Sequence, residues 1–211
     1  MANGVAKAAA VISPTQNAVH GPSSRDYIQG VVKILERLPF ALIDRVAAAL
    51  FEAYQQDSVV YLFGNGGSAA LASHAACDLG KGTTDPGRPP FRVVSLTDNV
   101  SLITAWANDT SYDNIFAAQL RPFVKPRDIV FAISGSGNSA NVLRGLQIAR
   151  DAGAFNIGLT GFEGGKMASL CDCCIIVPCE HMQRIEDSHL CIMHAIFLAF
   201  RRRVETSLTR D

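Results

Sequence analysis

The hydrophobic pattern of the chain divides it into two regimes. From Tyr27 to Leu38 the apolar residues Ile28, Val31, Val32, Ile34, Leu35 and Leu38 recur at helical spacing. Pro39 interrupts, and a second helix is predicted from Ala41 to Gln55. The rhythm then changes. Ser58–Phe63 is a continuous apolar run of the kind that a strand covered on both faces requires. Gly64-Asn65-Gly66-Gly67-Ser68 closes it and opens a helix predicted over 69–79. The alternation continues with a strand at 92–96, short helices at 100–107 and 114–120 around the polar pair Asn108-Asp109, and a strand at 128–133 with its helix at 140–152. A strand at 156–160, a short helix at 166–170 and a strand at 174–177, stopped by Pro178, precede a long helix over 183–208. Residues 1–22 carry no period and are expected to form a mobile tail, leaving 23–211 as a single domain.

Apolar strands alternating with helices imply an α/β architecture: a parallel five-stranded sheet covered on both faces, preceded by two helices. Right-handed crossovers place every strand-to-helix loop at one sheet edge. The segments 64–68, 97–99, 134–139 and 161–165 should therefore converge where ligands bind in such sheets.

Composition narrows the classes of partner. Nineteen basic and nineteen acidic residues balance to zero, so no positive field exists to draw nucleic acid or an anionic membrane. Charged residues make up only 18% of the chain, which points to surface buried against another subunit. No apolar run is long enough to span a membrane, and a cytoplasmic protein is expected. Four of the six cysteines crowd between Cys171 and Cys179; they read as reduced, apolar packing residues, with Cys171-x-x-Cys174 a single incomplete metal pair.

The chemistry concentrates in two places. Ser134-Gly135-Ser136-Gly137-Asn138-Ser139 joins a buried strand to a helix start, where main-chain N–H groups and helix polarity favour an anion. It lacks the lysine of an ATP-binding loop and the dinucleotide glycine spacing, so a small phosphate ester is the expected ligand. Second, His74 and Asp78 lie four apart on one helix, and the last helix carries Glu186, Asp187, His189 and His194. Asp187 and His194 are nearly aligned, whereas Glu186 and His194 are about 80° apart around the axis. Two His-plus-carboxylate sets suit either a zinc ion or proton transfer.

With these residues in view the chain resembles the phosphoheptose isomerase (sedoheptulose-7-phosphate isomerase) family of SIS, or sugar isomerase, domains. The resemblance rests on Gly64–Ser68, His74, Asn108-Asp109, Ser134–Val142, Leu159–Gly161 with Gly164–Met167, and Arg184-Ile185 through His194. It implies a flavodoxin-like three-layer sheet, a homotetramer with active sites lined by more than one subunit, and aldose–ketose isomerisation. It implies that Ser134, Gly135, Ser136 and Ser139 hold the 7-phosphate, and that Asn65, Gly66, Gly67, Ser68, Asn108, Asp109 and Glu186 line the sugar site. His74, Asp78, Glu186 and His194 would bind zinc, with Asp78 or Glu186 moving the proton and His194 as partner acid. The family usually carries Glu where Asp78 stands and Gln where Glu186 stands. Asp is shorter by one methylene, a loss of reach of about 1.5 Å. The rival readings are a non-catalytic SIS module that binds a replication initiator, or a phosphosugar sensor; retention of both His74 and His194 argues for the enzyme.

Overall fold

The computed structural model describes residues 23–84 and 90–208. The expected N-terminal tail lies outside the described residues. Two helices, α1 (Ser24–Leu35) and α2 (Phe40–Gln55), precede the sheet. The remainder alternates: β1 (Val60–Gly64), α3 (Gly67–Lys81), β2 (Val93–Ser95), α4 (Val100–Asp109), α5 (Ile115–Leu120), β3 (Ile129–Ser134), α6 (Ala140–Asp151), β4 (Phe155–Thr160), β5 (Cys173–Ile176) and α7 (Met182–Leu208). A 3-10 turn, Tyr112–Asn114, leads into α5, and another, Lys166–Leu170, joins β4 to β5.

The five strands are all parallel, in the order β2-β1-β3-β4-β5. This is the three-layer, flavodoxin-like arrangement. Strand residues alternate between two cores, as the pleat demands. Val60, Leu62, Phe131, Ile133, Ile157, Leu159 and Ile175 face α2, α3 and α7. Tyr61, Phe63, Val130 and Ala132 face α5 and α6, where Phe63 stacks on Phe116. No helix among the described residues is long and apolar enough to cross a membrane.

Local chemistry explains where elements differ from the hydrophobic pattern. α1 starts at Ser24, earlier than the apolar periodicity, because Ser23 and Asp26 form a reciprocal capping box. The start of β1 moves in by two residues, from 58 to 60. There the Val59 N–H donates to the Asp128 carboxylate at 2.9 Å. The other Asp128 oxygen accepts from the Lys125 N–H at 2.9 Å. This buried carboxylate ties the start of β3 to the start of β1, in the register Val60 beside Ile129.

α7 begins beside α1. Tyr27 donates its hydroxyl to Asp187, and Arg184 reaches the Asp26 carbonyl and lies over the Tyr27 ring. α4 has no buried residue among its ten, although it carries Val100, Leu102, Ile103 and Trp106.

Asp128→Ala removes the acceptor from two N–H groups at once. The expected loss is about 1–3 kcal/mol of stability. It should appear as a lower urea midpoint at unchanged slope.

Candidate active site

The site begins with the packing of α3 against α7. α3 buries Leu71, Ala72, Ala75 and Leu79, and α7 buries Ile185, Ile192, Met193, Ile196 and Phe200. His74 on α3 and His194 on α7 sit beside these stripes and meet at the rim, with their Nε2 atoms 2.9 Å apart. Asp78, one turn on from His74, brings Oδ2 to 3.2 Å from His74 Nε2 and 3.8 Å from His194 Nε2. One imidazole therefore donates and the other accepts. Two ring nitrogens and a carboxylate oxygen, all within 4.8 Å of one another, can hold a metal ion. That N₂O donor set fits zinc with a position left for a ligand.

A cavity of about 320 Å³ opens beside this trio, walled by Gly67, Ser68, Leu71, His74, Glu186, His189 and Leu190. Glu186 stands apart from the trio: its Oε1 lies 3.3 Å from the point a Cβ on Gly67 would occupy, at the start of α3. It makes no hydrogen bond or ion pair with another described side chain. Asp187 also lines this cavity, but its carboxylate is engaged by Tyr27, whose hydroxyl donates to it and whose pKa is thereby raised.

His189 was not singled out as a site residue from the sequence, yet it forms part of the cavity wall. It is 1% exposed, and neither ring nitrogen has a partner in hydrogen-bond geometry. Burial pushes its pKa down to about 4, an effect the Thr160 main chain only partly offsets. The imidazole is therefore neutral near pH 7.

The serine loop forms between β3 and α6. Gly137 takes φ +63°, and a side chain there would strike the Gly164 carbonyl. Ser134 and Ser139 bring their hydroxyls to 3.4 Å, and Asn138 Nδ2 closes the turn on the Ser136 carbonyl. Ser139 is the N-cap of α6 but its side chain does not cap. α3 likewise starts without a side-chain cap, at Gly66. Neither helix is capped by the residue that precedes it, although within α6 the Val142 N–H donates to Asn141 Oδ1, and both helix starts lie at the same sheet edge.

The loops at this edge do converge. Asn65 exchanges two hydrogen bonds with Asn141, at 2.9 and 2.8 Å, and accepts from Tyr112 at 3.0 Å. Gly161 N–H donates to the Gly135 carbonyl. Thr97 bonds α3 through Ser73 and the Ala69 carbonyl. Asn108 and Asp109 are exposed at the end of α4 and bond each other, with no contact to the trio. Met182 and Ile185 wedge over Gly135 and Gly161, so that within one chain the serine loop does not line the cavity of His74 and Glu186. Of the sequence-derived residues, His74, Asp78 and His194 come together, Gly67, Ser68 and Glu186 share their cavity, and Ser134, Gly135, Ser136 and Ser139 form a separate cradle.

Comparison with known proteins adds a family. A model of the SIS domain matches residues 26–161. The phosphoheptose isomerase of Aneurinibacillus thermoaerophilus is 38% identical over 178 residues, covering 82% of this chain and 89% of that protein. That of Mycobacterium tuberculosis is 41% identical over 164 residues, covering 78% and 81%. Among solved structures, phosphoheptose isomerase from Neisseria gonorrhoeae superposes with a TM-score of 0.78 at 28% identity, covering 83% of this chain and 95% of its own. The Francisella tularensis enzyme superposes at 0.77 and 27% identity.

His189 makes acid stability testable. Between its unfolded pKa of about 6.5 and its folded value of about 4, the unfolded chain binds a proton that the folded chain refuses. Stability should fall as pH drops through that window, by about 3 kcal/mol in all from this residue. Urea titrations of wild type and His189→Gln from pH 7 to pH 4 should show a shallower acid slope in the variant.

Proposed function

The chain belongs to the SIS-domain family and, within it, to the phosphoheptose isomerases, and on that premise we propose how its own residues isomerise sedoheptulose 7-phosphate to D-glycero-D-manno-heptose 7-phosphate. The product is a heptose precursor for surface glycans. The observation that carries the reading is the meeting of His74, Asp78 and His194 beside a cavity that holds one uncommitted carboxylate, Glu186.

Interconverting a 2-ketose and an aldose moves one proton between C1 and C2 through an enediolate and reshuffles protons on the two oxygens. The serine cradle, with Ser134, Ser136, Ser139 and the start of α6 that Ser139 leaves uncapped, anchors the phosphate end and so orients the reacting carbons. Asp78 is occupied by two imidazoles, and its side chain is short. Glu186 is free in the cavity, so we assign it the carbon-to-carbon proton transfer. His194 Nε2 faces His74 and Asp78, so this residue serves the sugar oxygens through the donor set it completes rather than as a free proton carrier. Neutral His189 and the first-turn N–H groups of α3 keep that wall of the cavity uncharged or electropositive, which favours developing negative charge. His74, Asp78 and His194 would hold a zinc ion, which when bound supplies Lewis-acid polarisation of the sugar carbonyl. Glu186, expected from the resemblance to complete that ligand set, stands outside it and serves as base instead.

The active form is proposed to be a homotetramer in the cytoplasm. Val94, Val100, Leu102, Trp106 and Phe123 are exposed around a groove of about 780 Å³ between edge strand β2 and helices α4 and α5. An apolar patch of that kind favours a covering subunit. Association also accounts for the separation of cradle and trio: the serine loop of one subunit would complete the cavity of another. Asn108 and Asp109, exposed on α4, would then face substrate across that boundary.

Three outcomes test this reading. His194→Gln and Glu186→Gln should each lower kcat with sedoheptulose 7-phosphate by about a hundred-fold to ten-thousand-fold with the fold intact; wild-type turnover in Glu186→Gln would hand the base role back to Asp78. Chelator dialysis should abolish activity, and stoichiometric zinc should restore it. Mixing inactive Ser136→Ala with inactive His194→Gln under subunit exchange should regenerate activity if sites are shared between subunits, and none if each chain works alone.

A further inference from the structure

The cysteine group at β5 has no part in the isomerase chemistry, yet its geometry is not that of passive packing. Cys171 and Cys174 both crowd Gly158, the residue of β4 that pairs with Cys174 across the sheet. A Cβ built on Gly158 would lie 2.7 Å from Cys171 Sγ and 3.0 Å from Cys174 Sγ. The two thiols thus converge on one point from positions three apart, and both are half-buried rather than sealed in. Cys173, between them, is buried and points into the other core.

Cys171 is also the C-cap of the 3-10 turn Lys166–Leu170. The opposite end of that turn is bonded to the serine cradle. Met167 N–H donates to the Gly137 carbonyl at 3.0 Å, and Lys166 N–H to Asn138 Oδ1 at 3.1 Å. Gly165, just before it, lies against Ser136 and Gly137 so closely that a Cβ would sit 2.6 Å from the Ser136 carbonyl oxygen. A displacement of Cys171 therefore has a five-residue path to the loop that holds phosphate.

We propose that Cys171 and Cys174 form a peroxide-reactive dithiol, and that closing it into a disulfide draws on the 3-10 turn and loosens the phosphate cradle. The cradle's role rests on the function proposed above; the disulfide does not. The proximity of the two sulfurs pushes the Cys171 pKa up and draws that of Cys174 down. Cys174 is accordingly the attacking thiolate. It takes one oxygen from the peroxide as a sulfenic acid and releases hydroxide, which the proton lost from Cys174 neutralises. Cys171 sulfur then displaces that oxygen, its own proton leaving with it as water. The net change is two thiols and one peroxide to one disulfide and two waters. The S–S bond is about 2.05 Å long, shorter than any non-bonded contact between two sulfurs, so closing it draws Cys171 and the turn it caps toward β5.

The test uses the full chain carrying Cys77→Ser and Cys191→Ser, which removes the exposed thiols on α3 and α7. After hydrogen peroxide at a few equivalents, free thiols are blocked with iodoacetamide and the peptide between Lys166 and Arg184 is sequenced by mass spectrometry. The expected result is a Cys171–Cys174 disulfide reversed by dithiothreitol. KM for sedoheptulose 7-phosphate should rise about tenfold while kcat stays within about twofold, the signature of lost uniform binding. Cys171→Ser should form no disulfide and keep its KM under peroxide. Sulfinic acid, pairing through Cys173 or Cys179, no oxidation, or a disulfide that leaves KM unchanged would each overturn the proposal. If the untreated protein does not turn over the sugar, the function reading fails instead; the cradle is then read by thermal stabilisation with inorganic phosphate, which the disulfide should reduce.

Discussion

The buried stripe along α7 holds the chemistry in place. Ile185, Ile192, Met193, Ile196 and Phe200 lock the helix against α2, α3 and the sheet, each nearly inaccessible to water. Met193 is the immediate neighbour of His194, so the packing of one sets the position of the other. A slip of one helical turn would move His194 by about 5.4 Å, well beyond the reach of His74 and Asp78. The polar clamp from Tyr27 and Arg184 at the start of α7 acts against the same slip. Apolar burial supplies the energy here, and the imidazole contact at the rim is its by-product.

The sheet does the corresponding work for the serine loop. Asp128 ties the starts of β1 and β3 together, and at the opposite edge the loops after β3 and β4 interleave through main-chain contacts too close for side chains. Gly137 against Gly164, and Gly165 against Ser136, make the cradle a joint product of two loops. The loop is thus held in one shape by its neighbours, with little left to order on binding.

Much of this was legible in the chain. Glycine, proline and the shift from helical to strand period marked every element between β1 and α7 to within two or three residues. α1 was misplaced because its start is set by Ser23 and Asp26, a polar signal that precedes the first apolar residue. The His74–Asp78 spacing, and its pairing with His194, followed from helix geometry together with the family likeness. The position of Glu186 outside that trio reflects its rotation of about 80° from His194 around the α7 axis. His189 is visible in the sequence beside Asp187, but nothing there distinguishes a buried, unpartnered imidazole from a satisfied one. The wedge of Met182 and Ile185 between cradle and cavity is a tertiary fact with no local sign.

The absence of a side chain at Gly158 has a genealogical consequence. A methyl group there would collide with both sulfurs, so an alanine could enter only in a lineage that had already shed Cys171 and Cys174 or moved them aside. The three positions are thereby coupled: a side chain at 158 is accommodated only together with a change in where the two sulfurs lie.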